Sequence, residues 1–187
     1  MTDPQAPPTQ VRIERTFAAP QTLIWQMWTD PRHFEQWYGP TGATVVVATM
    51  DLVVGGSRHV SMAMETRNGA MQMWFVGEHL EIEPVTRLAY TESMSDEHGN
   101  VVSPAAMGMP ADHPDTTQVT IELDQVGDAT RMVMTHAGIP ADSPGASGWN
   151  MAFDKLTSYV DTLTPPAAEE SAPTSGRPAS SNALGDH

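Results

Sequence analysis

The sequence predicts an α+β domain, a curved antiparallel sheet of about seven strands around one long C-terminal helix, with two short helices after the first strand. Three observations carry this reading. From Thr44 onward apolar residues alternate with a period of two for roughly ninety residues, broken only by turn signals and one polar stretch. The period changes to that of a helix near residue 145, and an aromatic-rich block between the first strand and the sheet carries helix start and stop signals.

In the first strand Val11, Ile13 and Phe17 share one parity and Arg12, Glu14 and Thr16 the other, with Arg15 interrupting the apolar row. Ala19-Pro20 stops it, and Leu23, Ile24, Met27 and Trp28 recur at helical spacing up to Thr29. Asp30-Pro31 supplies an N-cap and a first-position proline for a second short helix, which bears Phe34 and Trp37 and is closed by Gly39-Pro40. Residues 44–49 form the next strand, and Gly55-Gly56 turns the chain into one where Arg58, Val60, Met62 and Met64 alternate with His59, Ser61 and Ala63. Arg67-Asn68-Gly69 turns it again, Met71, Met73 and Phe75 form an inward row, a bulge is expected at Gly77, and Pro84 ends the strand. Leu88 and Tyr90 open a fifth strand, followed by a long polar loop over residues 95–116. Val119, Ile121 and Leu123 mark the sixth strand, and Met132, Met134 and His136 the seventh. Over residues 145–163, Trp149, Phe153, Leu156, Val160 and Leu163 lie four, three, four and three apart. Such a stripe has to lie against the inner face of the sheet.

Composition narrows the partners. Nine basic residues, eight Arg and one Lys, face 23 acidic ones for a formal charge of −14, so no cationic surface can neutralise a run of phosphates. Nucleic acid and anionic membranes are therefore poor partners, and neither is expected. No apolar run approaches the ~18 residues that cross a bilayer, so no membrane insertion is expected. The absence of Cys excludes disulfides, thiolate nucleophiles, Cys-type zinc sites and iron-sulfur clusters. The first ten residues lack the basic start and apolar stretch of a secretory signal, and the expected location is the cytoplasm. The excess of Arg over Lys points to a GC-rich, bacterial genome. Residues 1–9 and 165–187 hold too few apolar side chains to offset their ordering entropy, so both are expected to be disordered tails on a domain of residues 10–164.

The run IERTFAAPQTLIWQMWTDPRHFEQWYGP resembles the opening of the activator-of-Hsp-ninety-ATPase-like (Aha-like) domains, within the START/SRPBCC helix-grip superfamily of birch-pollen-allergen-like folds. Three later blocks agree in order: MDLVVGGSRHVSM, GEHLEIEPVTRLAYTES, and MTHAGIP followed by GWNMAFDKLTSYV. The resemblance covers about residues 11–163 and implies a sheet gripping a helix around an apolar cavity. Eukaryotic members join this domain to a chaperone-binding one, to which nothing in these residues corresponds, so a chaperone partner stays an unsupported alternative. Two departures fall where a cavity mouth is expected. Ser57 follows the Gly-Gly where the family often carries an aromatic residue, and the 95–116 loop is longer than usual.

No metal, cofactor or catalytic residue is assigned. The seven His lack metal-site spacing, and Asp96-Glu97 and Asp112 to Asp115 lack the graded positions of a calcium loop. Ser57, Ser61 and Ser147 have no nucleophile-elbow context, and no phosphate-cradling glycine motif is present. Arg15, Arg58, Tyr90, Glu92 and His136 share parity with apolar rows and read as inward. An internal Arg-Glu pair beside a satisfied core His is the favoured account. The alternative is a cyclase/aromatase-type enzyme acting on a polyketide-like substrate, with His136 as base. Trp25, Trp28, Trp37 and Tyr38 read as an aromatic packing cluster. Met62, Met64, Met71, Met73, Met132 and Met134 fall in pairs at inward parity, where strands ordinarily favour Val and Ile. Unbranched, polarisable Met suits a wall that reshapes around a guest.

The leading expectation is therefore non-catalytic binding of a small hydrophobic molecule, aromatic or lipid-like. The candidate ligand-binding residues are Trp28, Arg58, Met62, Met64, Met73, Phe75, Tyr90, Met132, Met134, His136, Trp149 and Phe153. A co-chaperone-like stress protein is the further alternative. Deleting residues 165–187 is expected to leave the melting temperature within about a degree, because little apolar area is lost. A drop of several degrees in calorimetry would show that this segment docks on the domain.

Overall fold

Seven strands form one sheet in the computed structural model, which describes residues 9–164. The disordered tails expected at 1–9 and 165–187 fall outside that range, except for Thr9, whose carbonyl accepts a 2.9 Å bond from the Gly138 amide. The strands are β1 (Gln10–Phe17), β2 (Thr44–Met50), β3 (Ser57–Thr66), β4 (Gly69–Glu83), β5 (Arg87–Ser95), β6 (Thr117–Val126) and β7 (Ala129–Ala137). Their order is β1-β7-β6-β5-β4-β3-β2, and every neighbouring pair is antiparallel. Five hairpin-like links run along the sheet from β2 to β7, and β1 then pairs back onto β7 with Val11 opposite His136 and Ile13 opposite Met134. The fold class read from the sequence is thus the one observed. No described helix is long and apolar enough to cross a membrane.

Three helices cover the inner face: α1 (Gln21–Thr29), α2 (Pro31–Trp37) and α3 (Pro144–Leu163). Asp30 starts α2 as its spacing predicts, accepting from the Arg32 amide at 2.9 Å while gripping the Arg32 guanidinium. That grip holds its carboxyl down at about 2. Ser143 caps α3 in the same way through the Ala146 amide. Trp149, Phe153, Leu156 and Val160 are buried in one stripe, and Phe153 meets Trp28, Trp37 and Trp149 at ring-centroid distances of 6.1, 6.0 and 5.5 Å. Of the expected aromatic cluster, Trp28, Trp37 and Tyr38 are core with their polar tips bonded, whereas Trp25 is half-buried and pairs with no other ring among the described residues. Trp28 Nε1 donates to Met132 Sδ at 3.3 Å and Trp37 Nε1 to the Met27 carbonyl at 2.9 Å.

Four expectations need correcting. The bulge lies between His79 and Glu81, not at Gly77, which stays in register opposite Arg58. Gly77 is needed for a different reason, since a Cβ there would collide with the Thr91 carbonyl. Met71 pairs with Met64 next to the β3–β4 turn, and is 39% exposed instead of facing inward. Leu163 is the last residue of α3 and is likewise exposed. Arg15 reaches across the sheet border instead of entering the core, donating to Asn150 Oδ1 on α3 at 2.8 Å.

Phe153 is fully enclosed where α3, both short helices and the sheet converge. Phe153→Ala is expected to destabilise the domain by about 3 to 5 kcal/mol in denaturant titration. A loss under about 1 kcal/mol would place this ring outside the core.

Candidate functional site

Only half of the inward surface of α3 carries large side chains. Beside the Trp149–Phe153–Leu156 stripe runs a second row, Gly145, Gly148 and Ala152, spaced three and four apart so that all three face the same way. Where these small residues face β3, β4 and β5, a cavity of about 260 Å³ remains. A Cβ on Gly148 would meet no atom within 4 Å, so the space begins at the helix backbone.

The sheet side of the cavity is built from cross-strand pairs. Met62 of β3 stands opposite Met73 of β4, and Phe75 of β4 opposite Met94 of β5, with Met64 completing the row. A third side comes from the segment after α2. Tyr38, Gly39 and Pro40 line the space, and Gly39 adopts φ +76° with Met62 Sδ only 2.6 Å from where a Cβ would stand. The single lysine of the chain, Lys155, fastens this segment to α3 by donating to the carbonyls of Tyr38, Gly39 and Pro40 at 3.1, 3.3 and 3.5 Å. The remaining side is the long loop, ordered around a short 3₁₀ turn at Pro104–Met107, which contributes Pro104, Met109, His113, Pro114 and Asp115. Exposed Met109, Asp115, Pro144 and Gly145 mark the mouth.

The polar groups of the wall are tied to one another. Trp149 Nε1, which can only donate, bonds His136 Nδ1 at 2.9 Å. His136 must therefore carry its proton on Nε2, which donates to Thr117 Oγ1 at 2.8 Å, and Thr117 passes its own proton to the Glu92 carbonyl at 3.0 Å. Burial, with nearby His113 and Arg58, pushes the His136 pKa below its ordinary value against the pull of Glu92.

An ion pair joins the wall to the residues behind it, with Glu92 on the wall and Arg58 behind. Arg58, 1% exposed, donates from Nη1 to Glu92 Oε2 at 3.1 Å, and its guanidinium lies 3.9 Å from the centre of the Tyr90 ring. Tyr38 donates its hydroxyl to the same Oε2 at 3.0 Å, and burial first, then the Glu92 charge, pushes the Tyr38 phenol well up. Arg58 Nη2 and the Tyr90 hydroxyl are enclosed with no partner among the described residues. This is the internal Arg-Glu pair that parity suggests.

Six of the twelve candidate residues come together on the wall: Met62, Met64, Met73, Phe75, His136 and Trp149. The other six do not line it. Trp28, Met132, Met134 and Phe153 fill the solid core between the helices and β7, while Arg58 and Tyr90 stand behind Glu92. Parity assigns a side chain to a face of the sheet but not to a position along it. Strand β7 lies under the aromatic cluster, and only its last inward residue, His136, reaches the cavity. Glu92 reads as inward from the sequence but is not among the twelve candidates, and Met94 could have been found from the same alternation that gave Tyr90 and Glu92. The Gly145-Gly148-Ala152 row was visible only as an absence of side chains. The loop residues had no signal beyond loop length.

Two buried histidines, His136 and His79, have pKa values lowered chiefly by desolvation from an ordinary 6.5. Below about pH 6.5 the unfolded chain binds protons that the folded one refuses, so stability rises with pH in that window. Urea denaturation between pH 8 and 5 is expected to show a plateau above about pH 7 and a decline below it. Trp149→Phe, which frees Nδ1 to accept a proton, should weaken the His136 share of that decline. A stability independent of pH over this range would mean that neither ring is held neutral.

Residues 18–161 match the family model described as Activator of Hsp90 ATPase homolog 1-like protein. No curated protein matches the chain. Among solved structures, a protein of Chromobacterium violaceum is 22% identical with a TM-score of 0.66, over 82% of this chain and 99% of its own. A protein of Mycobacterium smegmatis is 21% identical with a TM-score of 0.64, over 86% and 93% of the two chains. The AHSA1 protein of Silicibacter pomeroyi is 18% identical with a TM-score of 0.62, over 83% and 100%. At such identities these neighbours speak for the fold alone, and it is the family model, spanning α1, α2, strands β2 to β7 and almost all of α3, that places the sequence. The chain belongs to the family of Activator of Hsp90 ATPase homolog 1-like proteins.

Proposed function

We propose that this domain binds a small hydrophobic, ring-containing molecule in the cavity beside α3, without transforming it. The observation that carries the reading is a space of about 260 Å³ walled by Met62, Met64, Met73, Phe75, Met94 and Trp149. An apolar cavity of about 150 Å³ is enough for benzene, so one or two fused rings are the natural size of guest. Thioethers pack well against ring edges and adjust by rotation, which suits them to guests of varied outline.

The catalytic alternative would use His136, Tyr90 and a cavity Arg. A general base needs a free lone pair within reach of the substrate, and His136 gives its lone pair to Trp149 and its N–H to Thr117. Tyr90 and Arg58 stand behind the wall. The geometry therefore favours binding. A chaperone-directed role has only the family description to support it.

Thermal-shift titration with naphthalene derivatives tests the proposal. A guest at 100 times its dissociation constant is expected to add roughly 2.7 kcal/mol. Gly148→Leu should fill the space from the helix side and abolish that shift, while adding up to about 1 kcal/mol of its own through helix propensity. Met134→Trp, in solid core, should instead destabilise by about 1 to 3 kcal/mol. If no compound raises the melting point and Gly148→Leu destabilises, the cavity is not a binding site.

A further inference from the structure

We infer that the guest is a neutral hydrogen-bond donor, an apolar ring system bearing a hydroxyl group, whose O–H meets the free oxygen of Glu92. This rests on the binding role proposed above and adds the chemistry of recognition.

Both protein donors to the Glu92 carboxylate, Tyr38 Oη and Arg58 Nη1, converge on Oε2. Oε1 receives no hydrogen bond from the described residues, and Glu92, only 7% exposed, lines the cavity. A carboxylate oxygen in an apolar space without a donor is an unmet demand that a ligand hydroxyl satisfies with a charge-assisted bond.

The rest of the wall supports a donor. Its own side-chain donors are already engaged: Trp149 on His136, His136 on Thr117, and Thr117 on the Glu92 carbonyl. Ser93 shares a 2.8 Å bond with Thr116. His113 donates from Nδ1 to the Pro114 carbonyl at 2.8 Å. Asp115 at the mouth is an acceptor too. Glu92 is the more buried of these acceptors, so it is where a guest's donor gains most.

Charge decides between donors. Arg58 already balances Glu92, so an ammonium guest would be stripped of water to meet a pair that is neutral overall. A carboxylate guest would face both Glu92 and Asp115. A hydroxyl meets neither obstacle.

The test is calorimetric titration of the full chain at pH 7 with four probes of one shape: 2-naphthol, 2-methoxynaphthalene, 2-naphthoate and protonated 2-naphthylmethylamine. 2-Naphthol is expected to bind about tenfold or more tightly than the ether, the value of one charge-assisted hydrogen bond after desolvation of the hydroxyl. The two charged probes should bind more weakly than the ether. Equal affinity for naphthol and ether would overturn this inference and leave the cavity role standing, whereas no binding by any probe would remove both. Tightest binding of the naphthoate would move recognition to the amino end of α3, and of the amine to charge alone; either overturns the inference. Glu92→Gln leaves a buried guanidinium unpaired and risks the fold. The paired variant Arg58→Met, Glu92→Met removes both charges, and should abolish the preference for naphthol while retaining the ether. A preference that survives in it would assign the contact to another acceptor, and the inference would fail.

Discussion

A helix about 10 Å across cannot cover a seven-stranded sheet, whose strands at ~4.8 Å spacing would span roughly 30 Å if flat. The architecture follows from that mismatch. The sheet curves around α3, and α1 and α2 fill one side of the trough with Ile24, Met27, Trp28, Phe34 and Trp37. The large stripe of α3 locks into that side through Trp149, Phe153, Leu156 and Val160. On the other side no further α-helix is present among the described residues, and beside Trp149 α3 presents the small residues Gly145, Gly148 and Ala152. The uncovered part of the trough is closed by the 96–116 loop and the Lys155-anchored segment at residues 38–40. The cavity is thus the part of the inner face that the secondary structure does not cover.

Most buried donors and acceptors at its polar boundary find a partner among the described residues, the exceptions being Glu92 Oε1 on the wall and Arg58 Nη2 and the Tyr90 hydroxyl behind it. The relay from Trp149 through His136 and Thr117 to the Glu92 backbone consumes three donors in sequence and fixes one tautomer. Arg58 and Tyr38 then crowd onto a single oxygen of Glu92. These two arrangements leave the wall short of donors and with acceptors to spare. The same wiring makes His136 a structural group that links α3 to β6 and β7, despite its position at the cavity.

Alternation was the guide to the sheet, and it is clearest in β1 and β6, where one face is buried and the other exposed and a slip of one residue would expose a whole apolar row. Val119, Ile121 and Leu123, or Met132, Met134 and His136, could be read only one way. The helices were equally legible through Asp30-Pro31 and the stripe of α3. The site was half legible. Facing is a local property, and it gave Met62, Met73, Phe75 and His136. Depth along the trough depends on which helix lies overhead, so Met132 and Met134 share the parity of the cavity Met but pack beneath the aromatic cluster. Missing bulk at Gly145 and Gly148 has no positive signature, and the loop meets the cavity through contacts distant in sequence. Neither could be inferred from periodicity.

An empty space of this kind is held against the tendency of a core to close-pack. At roughly 24 cal/mol per Å³, a cavity of about 260 Å³ forgoes on the order of 6 kcal/mol relative to filled core, less whatever its open mouth leaves to solvent. That is comparable with the whole net stability of an ordinary domain. The solid side of the trough must therefore be stable enough to carry the hollow side. The interlocked rings of Trp28, Trp37, Trp149 and Phe153, with centroids 4.6 to 6.1 Å apart, supply that support. Trp149 belongs to both sides, with its ring in the cluster, its face on the cavity and its N–H on His136. On the binding role proposed above, a guest that packs against Trp149 would extend the aromatic core into the space that α3 leaves open, so that binding and completion of the core would be the same physical event.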